Sequence, residues 1–278
     1  MTGNGHHEND DNTPDENVFS LLFDDSDDNE HEFRGPMTTI SKEDVHQHFL
    51  PKNLATELYD LLKCTHAIFK HFGINYWLTG GSMIGYTRHS GIIPWDDDID
   101  ICCFREDKEK VFSDEVQDAF RLNNVKVTEN QTFDIIDPTL SKIYRNTANS
   151  KANTSGEVPY PFIDIFYMKK PDKYNDTIRF LSKCNGNHYI YPDELYPIQQ
   201  INFGPVTANI PRDPIPQLDR GYGKNWPKEG QIHIYNHVTK QRKEGPIKIF
   251  DVSPFLNVSA AYDASLIRTE VILPGVGM

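Results

Sequence analysis

The sequence predicts a mixed α/β (α+β) domain built round one sheet and preceded by an acidic tail. Three observations carry that expectation. Apolar residues recur at three and four over residues 54–72, the period of a helix, whereas residues 98–103 and 161–168 are short runs rich in β-branched and aromatic side chains. Helical and strand patterns alternate along the chain, with no self-similarity at the 20–50 residue spacing of a repeat protein. Charge is uneven: eleven acidic residues stand in residues 1–35 against Arg34 alone, a net of −10 out of the −13 of the whole chain. At roughly 150 residues per domain, 278 residues suit one catalytic-sized domain with appendages.

Residues 1–40 are expected to form a disordered acidic tail, because so little apolar surface cannot offset the entropy of ordering. Its apolar island, residues 18–23, is a candidate docking segment for a partner through Phe19, Leu21, Leu22 and Phe23. Order is expected from Ser41, where Ser41, Lys42, Glu43 and Asp44 have the form of a capping signal. Leu54, Leu58, Leu61, Leu62, Ile68, Phe69 and Phe72 then line one helix face, and Gly73 stops it. A strand at 75–79 runs into Gly80, Gly81 and Ser82; a short helix reaches about His89; Gly91 and Pro94 break it before a strand at 98–103. Residues 106–122 are helical by period, and 125–128, 133–136, 140–144 and 161–168 are short strands. Residues 172–184 are expected to be helical, and 198–210 to form a hairpin turning at Gly204 and Pro205. The domain therefore spans 41–245, with 246–278 an irregular C-terminal tail.

Several function classes are excluded by composition. No run approaches the roughly 18–20 apolar residues of a membrane span, and the N-terminus lacks the basic head and apolar stretch of a secretory signal. A cytoplasmic location is the expectation, with the Golgi or ER lumen as alternative should the natural chain carry an anchor absent here. Outside the tail the chain is almost neutral and shows no basic stripe, which argues against nucleic acid as a partner. Cys64, Cys102, Cys103 and Cys184 include an adjacent pair but no Cys-x-x-Cys, so reduced, buried thiols are expected rather than zinc or disulfides.

The informative stretch runs from Tyr76 to Cys103. Successive strand side chains point to opposite faces, so Asp98 and Asp100 share one face, roughly 7 Å apart at Cα, and Ile99 and Ile101 the other. Two like charges held there repel unless a cation such as Mg²⁺ or Mn²⁺ joins them or a pKa rises strongly. A calcium loop fits at Asp96, Asp98 and Asp100 but fails where Ile101 replaces the required Gly and Asp107 the bidentate Glu. Gly80, Gly81 and Ser82, at a strand-to-helix junction, could offer backbone N–H groups to a phosphate. Arg88 could clamp a phosphate, and His89 could donate to one or orient the loop; either could equally be structural. Asp164, alone in the apolar run from Phe162 to Phe166, is the natural third carboxylate unless a buried Lys or Arg pairs with it. Lys142 and Arg145 could reach a diphosphate, and Trp95 is expected to plug the core.

Together YWLTGGSMIGYTRHSGIIPWDDDIDI, PYPFIDIFYM and FGPVTANIPRDPIPQLDRGYGKNW, in that order, resemble the LicD family, which includes fukutin and fukutin-related protein. The resemblance covers residues 54–230. It implies a nucleotidyltransferase-like mixed sheet flanked by helices, with Asp98 and Asp100 on Mg²⁺ or Mn²⁺, Asp164 as third acid, and Gly80, Gly81 and Ser82 at the nucleotide phosphates. It also implies that an element near residues 210–222 closes the site, Tyr222 and Gly223 matching a family Tyr-Gly. The implied activity is metal-dependent transfer of a phospho-alcohol, of the phosphocholine or ribitol-phosphate type, from a CDP donor to a glycan or other hydroxyl acceptor. The rivals are nucleotidyl transfer from an NTP and a catalytically silent binding module.

Overall fold

A computed structural model describes residues 38–132, 135–146, 158–173, 175–180, 189–232, 235–236, 241–242 and 248–275. The acidic tail and its candidate docking segment lie outside these residues. In chain order the first half holds β1 (Thr38–Thr39), α1 (Lys42–His46), α2 (Lys52–Phe72), β2 (Tyr76–Leu78), α3 (Gly80–His89), β3 (Ile99–Phe104), α4 (Lys108–Val111), α5 (Asp114–Leu122), β4 (Val125–Thr132) and β5 (Ile135–Arg145). The second half holds β6 (Phe162–Lys169), β7 (Ile178–Phe180), β8 (Tyr189–Ile190), α6 (Pro192–Leu195), β9 (Gln199–Phe203), β10 (Val206–Ile210) and α7 (Ile215–Tyr222). Short strands β11 (Glu229–Gln231), β12 (Tyr235–Asn236), β13 (Gln241–Arg242) and β14 (Lys248–Asp251) follow.

Helix α1 starts as its sequence suggests: the Ser41 hydroxyl accepts from the Asp44 N–H, and the Asp44 carboxylate accepts in return from Ser41. Helix α2 ends where Gly73 turns left-handed. Two expectations are corrected. The helix predicted over 106–122 is broken at Phe112 and Ser113 into α4 and α5, because Ser113 takes an extended conformation and restarts the helix. Residues 172–184 are not one helix: Asp172 bridges to Asn175, and residues 178–180 form β7, while 181–184 lie outside the described residues. Tyr174, Ile178, Leu181 and Cys184 do recur at helical spacing, but the edge pairing of β7 with β6 decides the conformation of residues 178–180.

The main sheet has seven strands, with path β2-β3-β6-β5-β4 and with β7 and β8 added beyond β6. Strands β3 and β6 are parallel; β2 with β3, β5 with β6 and β4 with β5 are antiparallel. One face is covered by α2 and α5: Ile99, Ile101 and Cys103 of β3 and Ile163, Ile165 and Tyr167 of β6 join Leu58, Leu61, Leu62, Phe69 and Phe120 in the principal core. At about 25 cal/mol per Å² of apolar surface buried, this cluster is the main stabilising contact of the sheet. The opposite face is divided. Further along the strands it is apolar, with Trp77, Cys102, Phe104 and Met168 packed on Ile178, Ile190 and Leu195. At the start of β3 and β6 it carries carboxylates. Alternation along each strand therefore sends the aliphatic residues to the helices and the acids to the other side. Among the described residues, no helix is long and apolar enough to cross a membrane.

Residues 248–275 contain β14 and two 3₁₀ turns, Ser253–Phe255 and Ala264–Leu266. Phe250, Val252 and Phe255 pack on Trp95, Met83 and Trp226 in a second cluster, and Ala260 and Ile267 join the principal core.

Candidate active site

The parallel register of β3 and β6 sets Asp100 beside Asp164, and the antiparallel register of β6 and β5 sets Asp164 beside Lys142. Three adjacent strands thus present an Asp-Asp-Lys row on one sheet face, since paired residues on neighbouring strands point the same way. Lys142 Nζ donates to Asp164 Oδ1 at 2.5 Å and lies 3.5 Å from the centre of the Phe162 ring, so Asp164 is neutralised by a cation from within the sheet. Asp98 completes the group: one carboxylate oxygen from each of Asp98, Asp100 and Asp164 lies within 4.8 Å of the others. A second set, Asp96, Asp97 and Asp98, meets the same limit and shares Asp98 with the first. Clustered carboxylate oxygens are the donors that hard divalent ions take. Burial, then Asp98, Asp164 and Asp96, push the Asp100 carboxyl well above the usual carboxylate range, with Lys142 pulling the other way. That cost is what a bound cation would relieve.

The strand-to-helix turn holds this group in place. The Asp100 N–H donates to Ser82 Oγ at 2.9 Å, and the Thr79 N–H donates to the Asp100 carbonyl at 3.1 Å, so the turn grips the backbone of Asp100 from both sides. Two residues of the turn leave no room for a Cβ while the carboxylates stand where they do. Gly80 has φ of +54°, and a Cβ there would stand 2.8 Å from Asp100 Oδ2. At Gly81 a Cβ would stand 2.6 Å from Asp96 Oδ2. The first turn of α3, whose N-terminus favours negative charge, therefore lies directly against two of the carboxylates.

Among the remaining candidates, Arg88 and His89 are turned to structural contacts. Arg88 Nη1 donates to the carbonyls of Trp226 (2.7 Å) and Glu229 (2.9 Å); burial pulls the guanidinium down to about 10, and Asp96 opposes this. His89 is 1% exposed, and its Nδ1 contacts the carbonyls of Phe255 (3.0 Å) and Val258 (2.9 Å). Two carbonyl partners make Nδ1 the protonated nitrogen, so the ring orients the C-terminal segment. Arg145 is likewise committed, paired with Asp60 and Glu57. Trp95 is buried against Phe250 and Phe255, as expected of a core residue.

Three further residues lie near the carboxylates. Asp96 belongs to the same acidic run, where its spacing fitted only the rejected calcium loop. Tyr222, at the end of α7, brings its hydroxyl 3.5 Å from where a Cβ on Gly80 would be, beside Asp100. The residue is 43% exposed, but desolvation at its hydroxyl end, then Asp100, Asp96 and Asp98, hold this phenol above its usual range. Its one sequence signal is the Tyr-Gly pair. Tyr160, just before β6, has its ring on Phe162 and its hydroxyl buried.

Residues 73–213 match the family described as LicD/FKTN/FKRP, nucleotidyltransferase domain. An uncharacterised protein of Rickettsia prowazekii is 29% identical over 205 residues, which is 73% of this chain and 67% of the relative. The lipopolysaccharide cholinephosphotransferase LicD of Haemophilus influenzae is 36% identical over 70 residues, 25% of this chain and 26% of that protein. The human ribitol 5-phosphate transferase FKRP is 54% identical over 35 residues, 13% of this chain and 7% of that protein. The chain thus spans two thirds of the first of these relatives and far less of the other two.

Proposed function

From the premise that this chain belongs to the LicD/FKTN/FKRP nucleotidyltransferase-domain family, we propose that it transfers a phospho-alcohol from a CDP-activated donor to a hydroxyl acceptor, a glycan or a related alcohol. The observation that carries this reading is the convergence of Asp98, Asp100 and Asp164 beside the Gly80-Gly81 turn. The names of two relatives, a cholinephosphotransferase and a ribitol 5-phosphate transferase, support the class of group moved.

The donor set fits a hard divalent ion: all-oxygen, and with Asp100 raised by burial and then by its acidic neighbours. Asp98, Asp100 and Asp164 would hold Mg²⁺ or Mn²⁺, which when bound supplies positive charge against the phosphates and the leaving nucleotide. The chain's own residues do the rest. Ser82 and Thr79 fix the height of Asp100, Lys142 cancels one negative charge at Asp164, and the bare glycines keep the approach to the carboxylates open to a phosphate. Tyr222, protonated beside Asp100, is a donor at the Gly80 side of the group. In the reaction the acceptor oxygen bonds to the phosphorus that bears the alcohol. The bond from that phosphorus to the bridging oxygen breaks, CMP leaves with the electron pair, and the acceptor's proton passes to a carboxylate, Asp164 in this reading. Positioning and electrostatics supply most of the acceleration in such transfers.

The test is incubation with a panel of CDP-alcohols and, separately, NTPs, with Mn²⁺ present. CMP release supports this reading. Pyrophosphate release from an NTP supports nucleotidyl transfer, and no turnover with any donor supports a silent binding module.

A further inference from the structure

Lys142 brings a positive charge into the acidic group from inside the sheet. Its Nζ lies 2.5 Å from Asp164 Oδ1 and 3.5 Å from the centre of the Phe162 ring, so the ammonium is held between a carboxylate and an aromatic face. Both side chains of the ion pair are largely withdrawn from water, 14% exposed at Lys142 and 10% at Asp164, so their attraction is screened far less than at a surface. The pairing is fixed by topology: β5 and β6 register Lys142 against Asp164, and β6 and β3 register Asp164 against Asp100. The same Asp164 places an oxygen within 4.8 Å of oxygens from Asp98 and Asp100, and the Lys142 charge reaches Asp100, where it favours the ionised carboxyl. A metal ligand already paired with a cation of the chain is a different donor from one that stands uncompensated.

We propose that Lys142 is a built-in competitor of the divalent ion at Asp164, which makes tight ion binding depend on the nucleotide diphosphate that binds with it. The inference rests on the metal-dependent phosphotransfer reading above. An ion and an ammonium drawing on one carboxylate repel each other, so the ion gains less from Asp98, Asp100 and Asp164 than three uncompensated acids would give. A nucleoside diphosphate changes this balance. Its anionic oxygens attract the ion and the ammonium alike, so whichever of the two gives way at Asp164 finds a partner. Ion and nucleotide therefore favour each other's binding, and by linkage the effect is the same in either order of addition. The Phe162 face belongs to the device, because it holds the ammonium in its seat and adds to what the ion must overcome.

The experiment is calorimetric titration with Mn²⁺, alone and at saturating CDP, of the unaltered chain and of Lys142→Met, Lys142→Arg and Phe162→Leu, each checked for folding by circular dichroism at the titration temperature. In the unaltered chain CDP should tighten Mn²⁺ binding about tenfold or more. Lys142→Met should bind Mn²⁺ alone about tenfold more tightly than the unaltered chain and lose most of the effect of CDP. Lys142→Arg, which keeps the charge, should stay within about threefold of the unaltered chain. Phe162→Leu keeps the lysine but loosens its seat; it should bind Mn²⁺ alone about threefold more tightly, and it carries the test should Lys142→Met not fold. A purely structural lysine predicts the opposite sign, since a damaged site binds its ion more weakly. Equal or weaker Mn²⁺ binding by a folded Lys142→Met overturns the proposal, as does the absence of any gain in Phe162→Leu. So does a Lys142→Arg variant that behaves like Lys142→Met, and so does an unaltered chain that binds Mn²⁺ equally with and without CDP. An unaltered chain that binds no Mn²⁺ in either condition overturns the metal-dependent reading itself and this inference with it.

Discussion

Replacing Gly81 by alanine separates the fold from the site more cleanly than any other change at the turn. A Cβ at Gly81 would lie 2.6 Å from Asp96 Oδ2, whereas ordinary contact begins at 3.4 Å, a shortfall of 0.8 Å. The helix itself accepts the substitution: Gly81 lies in the first turn of α3 without a left-handed φ, and alanine for glycine in a helix contributes about 0.5–1 kcal/mol of stability. The obstacle is the end of one buried side chain, Asp96, whose shift costs at least the about 0.5–1.5 kcal/mol of an off-rotamer torsion. Urea denaturation should therefore show a loss of no more than about 3 kcal/mol. The chemistry should not recover. Misplacing a positioned group by about 1 Å costs on the order of 100-fold in rate, and CMP release with Mn²⁺ should fall accordingly. Gly80→Ala cannot make this separation, because its φ of +54° strains any side chain regardless of space. Full turnover by Gly81→Ala in a folded chain would refute the expectation that Asp96, which shares the second carboxylate set with Asp98 and faces the turn, takes part in the chemistry. A stability loss above about 3 kcal/mol would refute the claim that only a carboxylate end obstructs the site.

Other perturbations test other parts. Asp98→Asn, at the residue shared by both carboxylate sets, should abolish CMP release while leaving the circular dichroism spectrum and melting temperature in EDTA unchanged or raised, since it removes one of several repelling charges. Lys142→Met strands the Asp164 carboxylate and should cost about 3–5 kcal/mol in EDTA; Mn²⁺ should restore stability more in this variant than in the unaltered chain, and an equal response of the two would contradict the pairing. Burial, then the Arg88 charge, pull His89 from its ordinary 6.5 to about 4, so between those values the unfolded chain binds a proton that the folded chain refuses. Stability should accordingly fall by about 3 kcal/mol as pH drops from 6.5 to 4, and His89→Gln should flatten that slope in urea titrations. Arg268→Met should cost about 3–5 kcal/mol near neutral pH by leaving Asp60, 3% exposed, with fewer partners. Burial works against the Asp60 charge, but its Arg268 hydrogen bonds outweigh this and depress its pKa. The penalty should therefore persist above the ordinary carboxylate range and fade only in acid below it.

What could be read without coordinates was whatever local periodicity encodes. Helix α2 announces itself through leucines at three and four, the hairpin through Gly204 and Pro205, and the acidic face of β3 through alternation of Asp with Ile. Asp164 was expected for a different local reason, a lone charge in an apolar run. Lys142 was expected to meet a phosphate, yet it spends its charge on Asp164 because the β5–β6 register sets them side by side, a fact of pairing that neither segment states alone. Arg88 and His89 have the residue types of a phosphate site but are consumed by carbonyls over a hundred residues distant in sequence. Tyr160 carries no signal of its own. The segment at 172–184 was misread because β7 folds back on the end of β6, Phe180 opposite Met168, an edge pairing that its own periodicity does not announce.

The Asp60–Arg268 contact sets a practical limit on dissection. The match to the family model ends at residue 213, and a fragment cut there would keep every carboxylate of the acidic group. It would also keep Asp60 midway along the longest helix, stripped of the guanidinium and the backbone N–H of Arg268, and would lose the carbonyls that receive Arg88 and His89. A piece that keeps these contacts must therefore run at least through Arg268, and a cut between residues 213 and 268 would report on a broken scaffold.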